Sequence, residues 1–399
     1  MNLSSAVLLE DTMHPTGAGG PPTPFLRDDL FARRPPAGLW SAPARVGLLG
    51  EPTGHNGGFA LRIALPQNVR AAVRPHADGV LRVHNARYGG TVILRIAKLR
   101  PDHAHGPARH VAALVHALRG SGCPVEGADV SLDGDLPAGP GPMPSGALCS
   151  ALALAFNDLY GLGLDRTRLA RLAQYAAHGS GRDPDESVDR LAAFAFAPGH
   201  ALLLDTRRGT TRPLPLAPAA AGLQLLVVEV RAAADGSDGV QARWRATSGR
   251  AAQLLGLPAL RDLAPGRLPA ALGELPPRLR GPVHHAVTEN TRVLQAAALL
   301  DEGRPAALGP LLTGSHYSLR DHCGISRPEA TLAVEAALEA GALGARLADH
   351  GTGGKVVVLT PGVLARSVTS RLRQSFARAG HPAPRITTGT PAAGARRLH

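Results

Sequence analysis

The sequence predicts an α+β fold that is divided into two domains. With 399 residues, the chain is long enough to build two separate hydrophobic cores. Residues 59–97 contain short apolar runs with partial alternation, separated by turn residues, which is typical of an antiparallel β-sheet. Residues 108–119 and 165–177 instead repeat apolar side chains at helical spacing. Strands and helices therefore follow one another along the same chain.

The composition is that of a globular protein, with 44% hydrophobic and 19% charged residues. The formal net charge of +12 comes mainly from arginine, and the abundance of Arg, Ala, Gly and Pro is what a GC-rich coding sequence produces. A basic protein can attract nucleic acids or phosphorylated ligands. Because the arginines are scattered and are not interleaved with aromatic residues, we do not expect nucleic-acid binding.

The cysteines and the start of the chain indicate the compartment. Cys123, Cys149 and Cys323 lie far apart and lack the spacing of zinc ligands, so we expect neither a zinc site nor a disulfide framework. The apolar segment AVLL near the start runs directly into Glu10 and Asp11, which a signal peptide would not do. No stretch has the ~20 consecutive apolar residues of a membrane span. We therefore expect a cytoplasmic protein that does not bind membranes.

The organised part of the chain is predicted to begin near residue 25. Residues 1–24 are rich in Gly, Pro and Thr and are predicted to form a disordered extension. The amphipathic segment FLRDDLFARR, residues 25–34, predicts a short helix that ends at two prolines. Residues 41–58, SAPARVGLLGEPTGHNGG, form an apolar run that stops at Gly50 and continues with polar residues. This pattern is typical of a strand that delivers side chains to a site, and it also fits an ordinary surface turn.

A second candidate site lies where a loop rich in glycine and proline, residues 138–144, leads into a strongly apolar helix. Ser145 stands at or near the start of that helix. The free N–H groups and the dipole at a helix N-terminus attract anions, so this arrangement suits a phosphate group. The same pattern also describes an ordinary loop before a buried helix.

The second half of the chain alternates helices with strands. Residues 223–232, LQLLVVEVRA, predict a buried strand, and residues 240–256 have a helical pattern. Two longer helices follow, with the sequences HHAVTENTRVLQAAALLDEG and PAALGPLLTGSHYSLRDHCGISRPEA. A final helix near residues 362–379 and the strand RITTG complete the pattern of a ferredoxin-like α+β domain.

Several of these segments resemble the motifs of galactokinases, which are GHMP sugar kinases. Residues 43–58 are similar to the motif PGRVNLIGEHTDYNGG, and residues 137–146 lie where the family carries its ATP-phosphate loop, PxGxGLSSSA. Residues 186–208 resemble GIMDQFISLMGxxGHALLIDCRS without a gap, and residues 344–360 resemble GARMTGGGFGGxxIALV. The resemblance covers roughly residues 25–398 with every landmark in order. It implies the two-domain GHMP kinase fold, with a mixed or antiparallel sheet in the N-terminal domain, a ferredoxin-like C-terminal domain and the active site in the cleft between them.

The resemblance also implies which residues carry the reaction. Asp189 falls on the catalytic aspartate, a carboxylate that can take the proton of the sugar hydroxyl while the γ-phosphate arrives. Arg45 falls on the arginine that favours the ionised aspartate and stabilises the developing charge. The implied sugar-binding residues lie in the first motif and at a position where the family has a sugar-contacting tyrosine: Glu51, Thr53, His55, Asn56 and Gln241.

ATP and Mg²⁺ are the cofactors that the resemblance implies. Their contacts fall on the phosphate loop and on the third motif, at Gly139, Gly141, Ser145, Gly146, Gly351, Gly353 and Gly354. Ser145 is also the implied magnesium ligand. The family glutamate that binds magnesium is replaced by Ala177, and a methyl group cannot ligate a hard cation. Asp183, Asp185 and Glu186 lie close to Asp189 in the sequence and are alternative ligands.

Other motif residues depart from the family pattern. Gly54 replaces an aspartate that grips sugar hydroxyls. Pro142, Met143 and Pro144 replace a leucine and two serines of the phosphate loop, and Asp349 adds a negative charge to the third motif. Removing a hydrogen-bonding partner from a sugar site weakens its discrimination.

Two interpretations follow from this mixture of matches and departures. In the first, the chain is an ATP-dependent kinase that phosphorylates galactose or a related sugar at the anomeric hydroxyl, giving a sugar 1-phosphate. In the second, it is a catalytically impaired galactokinase paralogue with a ligand-binding or regulatory role. We expect a monomer whose N-terminal domain spans residues 25–210 and whose C-terminal domain spans residues 211–399.

Overall fold

A computed structural model describes residues 30–31, 34–85, 90–135, 145–178, 187–230, 237–348 and 354–398. The predicted extension 1–24 and most of the predicted helix 25–34 lie outside these ranges, as do several predicted site residues. In the ranges that are described, no helix is both long and apolar enough to cross a lipid bilayer.

The larger of two sheets has eight strands among the described residues. They are β1 (Gly38–Leu49), β2 (Phe59–Pro75), β3 (Val80–Asn85), β4 (Thr91–Arg95), β5 (Ala128–Gly134), β6 (His200–Asp205), β7 (Thr210–Pro215) and, near the end of the chain, β12 (Arg396–Arg397). The strand order is β12-β1-β2-β5-β3-β4, while β6 pairs with the first part of β2 and β7 pairs with β6. The long β2 therefore pairs with three other strands of the sheet, β1, β5 and β6. The two apolar runs that predict separate strands over residues 59–75 form this one strand.

One pairing in this sheet is parallel. The apolar runs over residues 59–97 indicate antiparallel strands, and the predicted fold class allows a mixed or an antiparallel sheet; β3 and β5 are parallel, with Val83 opposite Val130, so the sheet is mixed. The connection between them contains β4 and helix α1 (Gly106–Gly120), and a long crossover of this kind lets two strands run in the same direction. Strand β5 lies inside the sheet, between β2 and β3.

Among the described residues, four helices complete the first half of the fold. Besides α1, they are α2 (Ser145–Leu159), α3 (Arg166–His178) and α4 (Ser187–Ala195). The apolar helix α2 packs against β1, β2, α3 and α4, which explains why ten of its 15 residues are buried. Leu148, Leu152 and Phe156 of α2 are fully buried in the same core as Trp40 of β1.

The smaller sheet lies in the second half of the chain. Its strands are β8 (Leu223–Glu229), β9 (Gly344–Ala348), β10 (Lys355–Pro361) and β11 (Arg385–Thr388), and its helices are α5 (Ser237–Leu254), α6 (Leu268–Glu274), α7 (Pro277–Asp301), α8 (Leu308–Cys323), α9 (Pro328–Glu339) and α10 (Ala365–Arg378). The strand order β11-β8-β10-β9 is entirely antiparallel. This order confirms the predicted ferredoxin-like arrangement. Helices α9 and α10 cover one face through residues such as Ala333 and Phe376.

The two halves share a hydrophobic core. Val46 and Ile63 of the larger sheet pack with Val357 of the smaller sheet and with Val293 and Leu300 of α7. This core lies beneath the end of β1, where the candidate site begins. A domain boundary between residues 210 and 211 would fall inside β7, which pairs in the larger sheet, so we propose that the division follows Pro215.

Candidate active site

Strand β1 supplies the first candidate catalytic residue. Arg45 lies opposite Ala64 of β2 and is half-buried. The pairing of β1 with β2 shifts its register between Pro43 and Arg45 and again between Gly47 and Leu49. Bulges of this kind bend a strand and redirect its side chains, and they often occur beside active sites. The strand predicted to deliver side chains to a site is therefore present and irregular at Arg45.

The chain leaves β1 through a compact turn, residues 50–58, which we call the sugar turn after its resemblance. Gly50 and Gly57 have positive φ angles of 92° and 63°, which favour glycine. Gly54–Asn56 form one turn of 3₁₀ helix. A Cβ atom at Gly58 would lie 2.6 Å from Cβ of Thr53 and 2.7 Å from Oδ1 of Asn290. Glycines are thus required where the turn folds tightly on itself and approaches α7.

The polar side chains of the sugar turn are partly used to hold its shape. The Thr53 hydroxyl is buried and lies 2.8 Å from the carbonyl oxygens of both Gly50 and Phe59. Asn56 is also buried, and its Nδ2 lies 3.2 Å from Nε2 of the half-buried His55. An ideal Cβ at Gly54 would have no described atom within 4 Å, so the position of the missing aspartate is open space. The implied sugar contacts of Thr53, His55 and Asn56 remain predictions.

Glu51 has partners that the sequence analysis missed. Its side chain is 3% exposed, and its oxygens accept hydrogen bonds from Arg62 at 2.6 Å and from the fully buried Arg346 at 3.5 Å. A Cβ at Gly47 would lie 2.6 Å from Cδ of Glu51, so the carboxylate occupies the space that the family's asparagine would need. The change to Gly47 and the inward position of Glu51 therefore belong together, and the predicted sugar contact of Glu51 remains untested.

Helix α7 is the feature that sequence reasoning left without a role. Glu289 accepts the backbone N–H of Gly50 at 2.7 Å, and His285 lies 2.9 Å from the carbonyl oxygen of Glu51. Asn290 accepts the N–H of Phe59 at 2.9 Å. All three belong to the HAVTEN segment, residues 285–290, which the sequence predicts to be helical without indicating what it contacts. A helical spacing identifies a shared face and not what that face contacts.

Burial shifts the proton equilibria of this group. Burial lowers the pKa of His285 to about 4, so its imidazole is neutral at pH 7. Burial alone would raise the pKa of Glu289, but the positive charges of Arg346 and Arg292, together with the hydrogen bond from the Gly50 N–H, more than offset this and hold the pKa below its ordinary value. Arg292 donates to Glu289 at 2.8 Å. The carboxylate is therefore ionised where it receives the Gly50 N–H.

The other half of the candidate site is described at the level of its elements. Ser145 is the first residue of α2, as the sequence predicts, and Gly146 follows it in the buried first turn. Asp189 lies in α4 and Gln241 in α5; for both residues the structure describes the backbone. Gly354 has a φ of 66° and accepts the N–H of Val230 at 2.8 Å. Gly139, Gly141, Gly351 and Gly353 lie outside the described residues.

The described residues fit a phosphate group better than a protein-held cation. Helix α2 begins at Ser145, so its first N–H groups lack partners within the helix and suit an anion. Ala177 lies in α3 and offers no ligand atom. Within the described ranges, no group of three or more His, Cys, Asp and Glu side chains is placed to hold a metal ion. Asp183, Asp185, Glu186 and Asp349 lie outside those ranges.

Comparisons with known proteins agree with this geometry. Residues 28–75 match the family model described as the galactokinase galactose-binding signature, and residues 108–194 match that of the GHMP kinases N terminal domain. The chain is 43% identical to the galactokinase of Streptomyces coelicolor over 366 residues, which is 91% of this chain and 95% of that protein. It is 38% identical to a galactokinase of Mycobacterium tuberculosis over 357 residues, covering 89% of this chain and 98% of that protein.

The fold comparison gives the same result. The crystal structure of Lactococcus lactis galactokinase complexed with galactose superimposes with a TM-score of 0.81 at 21% identity, covering 90% of this chain and 95% of that one. A mevalonate kinase of Methanococcus jannaschii superimposes with a TM-score of 0.59 over 90% of this chain and 98% of that one. The likeness confirms the predicted two-domain GHMP fold. With the sequence identities above, these findings show that the chain belongs to the galactokinase family of the GHMP kinases.

Proposed function

We propose that this chain is an ATP-dependent sugar kinase that phosphorylates galactose or a closely related sugar at its anomeric hydroxyl. The product is a sugar 1-phosphate. The observation that carries the proposal is the packing of α2 against both β1 and α4. This packing supports a site built from the strand of Arg45, the helix that begins at Ser145 and the helix of Asp189.

Each of these elements has a role in the proposed reaction. The Asp189 carboxylate accepts the proton of the anomeric hydroxyl, which makes that oxygen a nucleophile. The Arg45 guanidinium keeps the carboxylate ionised and stabilises the charge that develops on the transferred phosphoryl group. The N-terminus of α2, with Ser145, holds the phosphates of ATP, and the glycines at 139, 141, 351, 353 and 354 let the backbone come close to them.

Magnesium, when bound with ATP, neutralises phosphate charge. Ser145 is the residue that we propose as its protein ligand, since Ala177 has no donor atom. Mg²⁺ commonly keeps several waters and uses few protein ligands beside the substrate phosphates. A site with one hydroxyl at a helix N-terminus is consistent with that preference.

The sugar side of the site is proposed to be less selective than the family motif implies. His55, Asn56 and Gln241 border it, and Gly54 leaves the position of the aspartate open. A sugar that lacks or substitutes the hydroxyl facing residue 54 therefore loses little on binding. We propose a monomer that resides in the cytoplasm. The three cysteines of the described chain are free, which agrees with a reducing compartment.

A panel of hexoses with Mg-ATP tests the proposal. ADP release is followed for the wild type, for Asp189→Asn and for Asp102→Asn, a matched control at a side chain that is 77% exposed. We expect galactose or a close relative to be turned over, with a loss of about 10²–10⁴ in kcat for Asp189→Asn and no change for the control. If no sugar is turned over, or if Asp189→Asn matches the wild type, the proposal is wrong. The first of these results would favour the impaired paralogue, for which no comparison gives support.

A further inference from the structure

We propose that His285, Glu289 and Asn290 of α7 are positioning residues that hold the sugar turn in its working shape. The inference rests on the proposed function, because it concerns the same site. It assigns to the second domain the task of fixing a loop of the first. These three residues act on the backbone of the turn and do not touch the reacting groups.

The contacts pin both ends of the turn. Glu289 Oε1 accepts the N–H of Gly50, and His285 lies against the carbonyl oxygen of Glu51, at 2.7 and 2.9 Å. Asn290 Oδ1 accepts the N–H of Phe59 at 2.9 Å, where β2 begins. Residues 50 and 59 bracket the whole turn. One face of one helix thus fixes where the turn leaves β1 and where it enters β2.

The side chains of α7 that make these bonds are inaccessible to a substrate. His285 and Glu289 have 0% exposure and Asn290 has 9%. All three bonds go to main-chain atoms, so they engage the backbone of the turn and none of its side chains. The arrangement therefore supports the site from behind, which is the role of a positioning group.

The His285 and Glu289 side chains of α7 are themselves held in place by neighbouring groups. A carbonyl oxygen can only accept, so Nε2 of His285 carries the proton and Nδ1 accepts the hydroxyl of Ser318 at 2.9 Å. The Trp244 ring packs edge-on against the imidazole, with 5.7 Å between ring centroids. Glu289 also accepts the Ser315 hydroxyl at 2.8 Å. These contacts leave little freedom for rotation.

The second domain also reaches the Glu51 side chain from another direction. Arg346 of β9 donates to the carboxylate, while His285 of α7 donates to the carbonyl of the same residue. At Gly58 the turn lies so close to α7 that a Cβ would be 2.7 Å from Oδ1 of Asn290. The turn is therefore clamped at several points. Misplacing a substrate by about 1 Å can cost 10²-fold in rate, so such clamping has a kinetic consequence.

Two pairs of variants test the proposal. His285→Leu removes the N–H donor, while His285→Gln keeps an amide donor of similar reach. Asn290→Ala removes the acceptor at Phe59, and Gln295→Ala is the matched control at an exposed position of α7. We expect kcat/KM for the sugar to fall about 10–100-fold in His285→Leu and Asn290→Ala, with KM for ATP unchanged. His285→Gln should recover most of the loss, and the control should behave as the wild type.

Amide hydrogen exchange gives a readout that does not need turnover. The Gly50 and Phe59 amides should exchange slowly in the wild type and in Gln295→Ala. Exchange at Phe59 should accelerate in Asn290→Ala by tenfold or more. If exchange and the sugar kcat/KM stay at wild-type values in both His285→Leu and Asn290→Ala, the inference is overturned. If the wild type phosphorylates no sugar, the proposed function fails by itself, and exchange still decides whether α7 holds the turn.

Discussion

The buried Glu51 carboxylate predicts a loss of stability that needs no ligand to measure. Its oxygens lie 2.6 Å from Nη1 of Arg62 and 3.5 Å from Nη2 of Arg346. Glu51→Gln keeps the shape of the side chain and removes its charge. The guanidinium of Arg346, with 0% exposure, then loses this counter-charge. Removing one partner of a buried ion pair costs about 3–5 kcal/mol.

The lower end of that range applies to this site. Arg62 is 15% exposed, so water solvates it in part, and the glutamine still offers it a carbonyl oxygen. We therefore expect the free energy of unfolding to fall by about 3 kcal/mol. The loss should be present in the absence of sugar, since no ligand takes part in these contacts.

Urea unfolding at pH 7, with the slope m held in common, measures the difference. Glu302→Gln is the control, because Glu302 and Arg304 form a surface pair in which both side chains are more than half exposed, at 55% and 62%. Such pairs contribute at most about 1 kcal/mol. A loss for Glu51→Gln no larger than that of the control would refute the reasoning and would leave the sugar as the proper partner of Glu51.

Three further changes probe the sugar turn and its support. Gly54→Asp restores the family carboxylate in open space, so kcat/KM for galactose should rise about tenfold at unchanged stability; a fall would contradict the assignment of this position. Gly58→Ala places a Cβ 2.6 Å from Cβ of Thr53 and should lower the free energy of unfolding by about 1–3 kcal/mol, whereas Gly54→Ala, which meets nothing within 4 Å, should not; equal midpoints in urea would argue against tight packing. The pKa of His285 is lowered from 6.5 to about 4, so the native state resists protonation. Its contribution to stability is therefore full above pH 6.5 and decreases by up to about 3 kcal/mol as the pH falls toward 4. Urea midpoints of His285→Gln should decline less steeply over that interval, and an identical decline would show that another group titrates.

Local patterns predicted the elements of the site well. The Gly/Pro loop followed by an apolar run placed the start of α2 at Ser145, where the structure has it. The apolar run that ends at Gly50 predicted β1 and the turn after it. These features depend on neighbours in the sequence, since glycine, proline and apolar spacing act within one or two turns of chain.

Contacts between residues that are distant in the sequence could not be predicted from local patterns. The parallel pairing of β3 with β5 depends on the path of a crossover and leaves no mark in either strand. The contact of α7 with the sugar turn joins residues more than 230 positions apart, such as Asn290 and Phe59. Gly47 stands where the family motif has an asparagine, and the reason for the glycine is the space that the Glu51 carboxylate fills. In each case, the role of the residue depends on a partner that is distant in the sequence.

The position of the phosphate on the product tests the central claim most directly. Wild-type protein is incubated with galactose and Mg-ATP, and the product is examined by phosphorus–proton correlation in solution NMR. The account predicts a phosphorus coupled to the anomeric proton, formed by the wild type and by Asp102→Asn but not by Asp189→Asn. A phosphate on any other oxygen, or no phosphorylated sugar from galactose or any hexose of the panel, would contradict it.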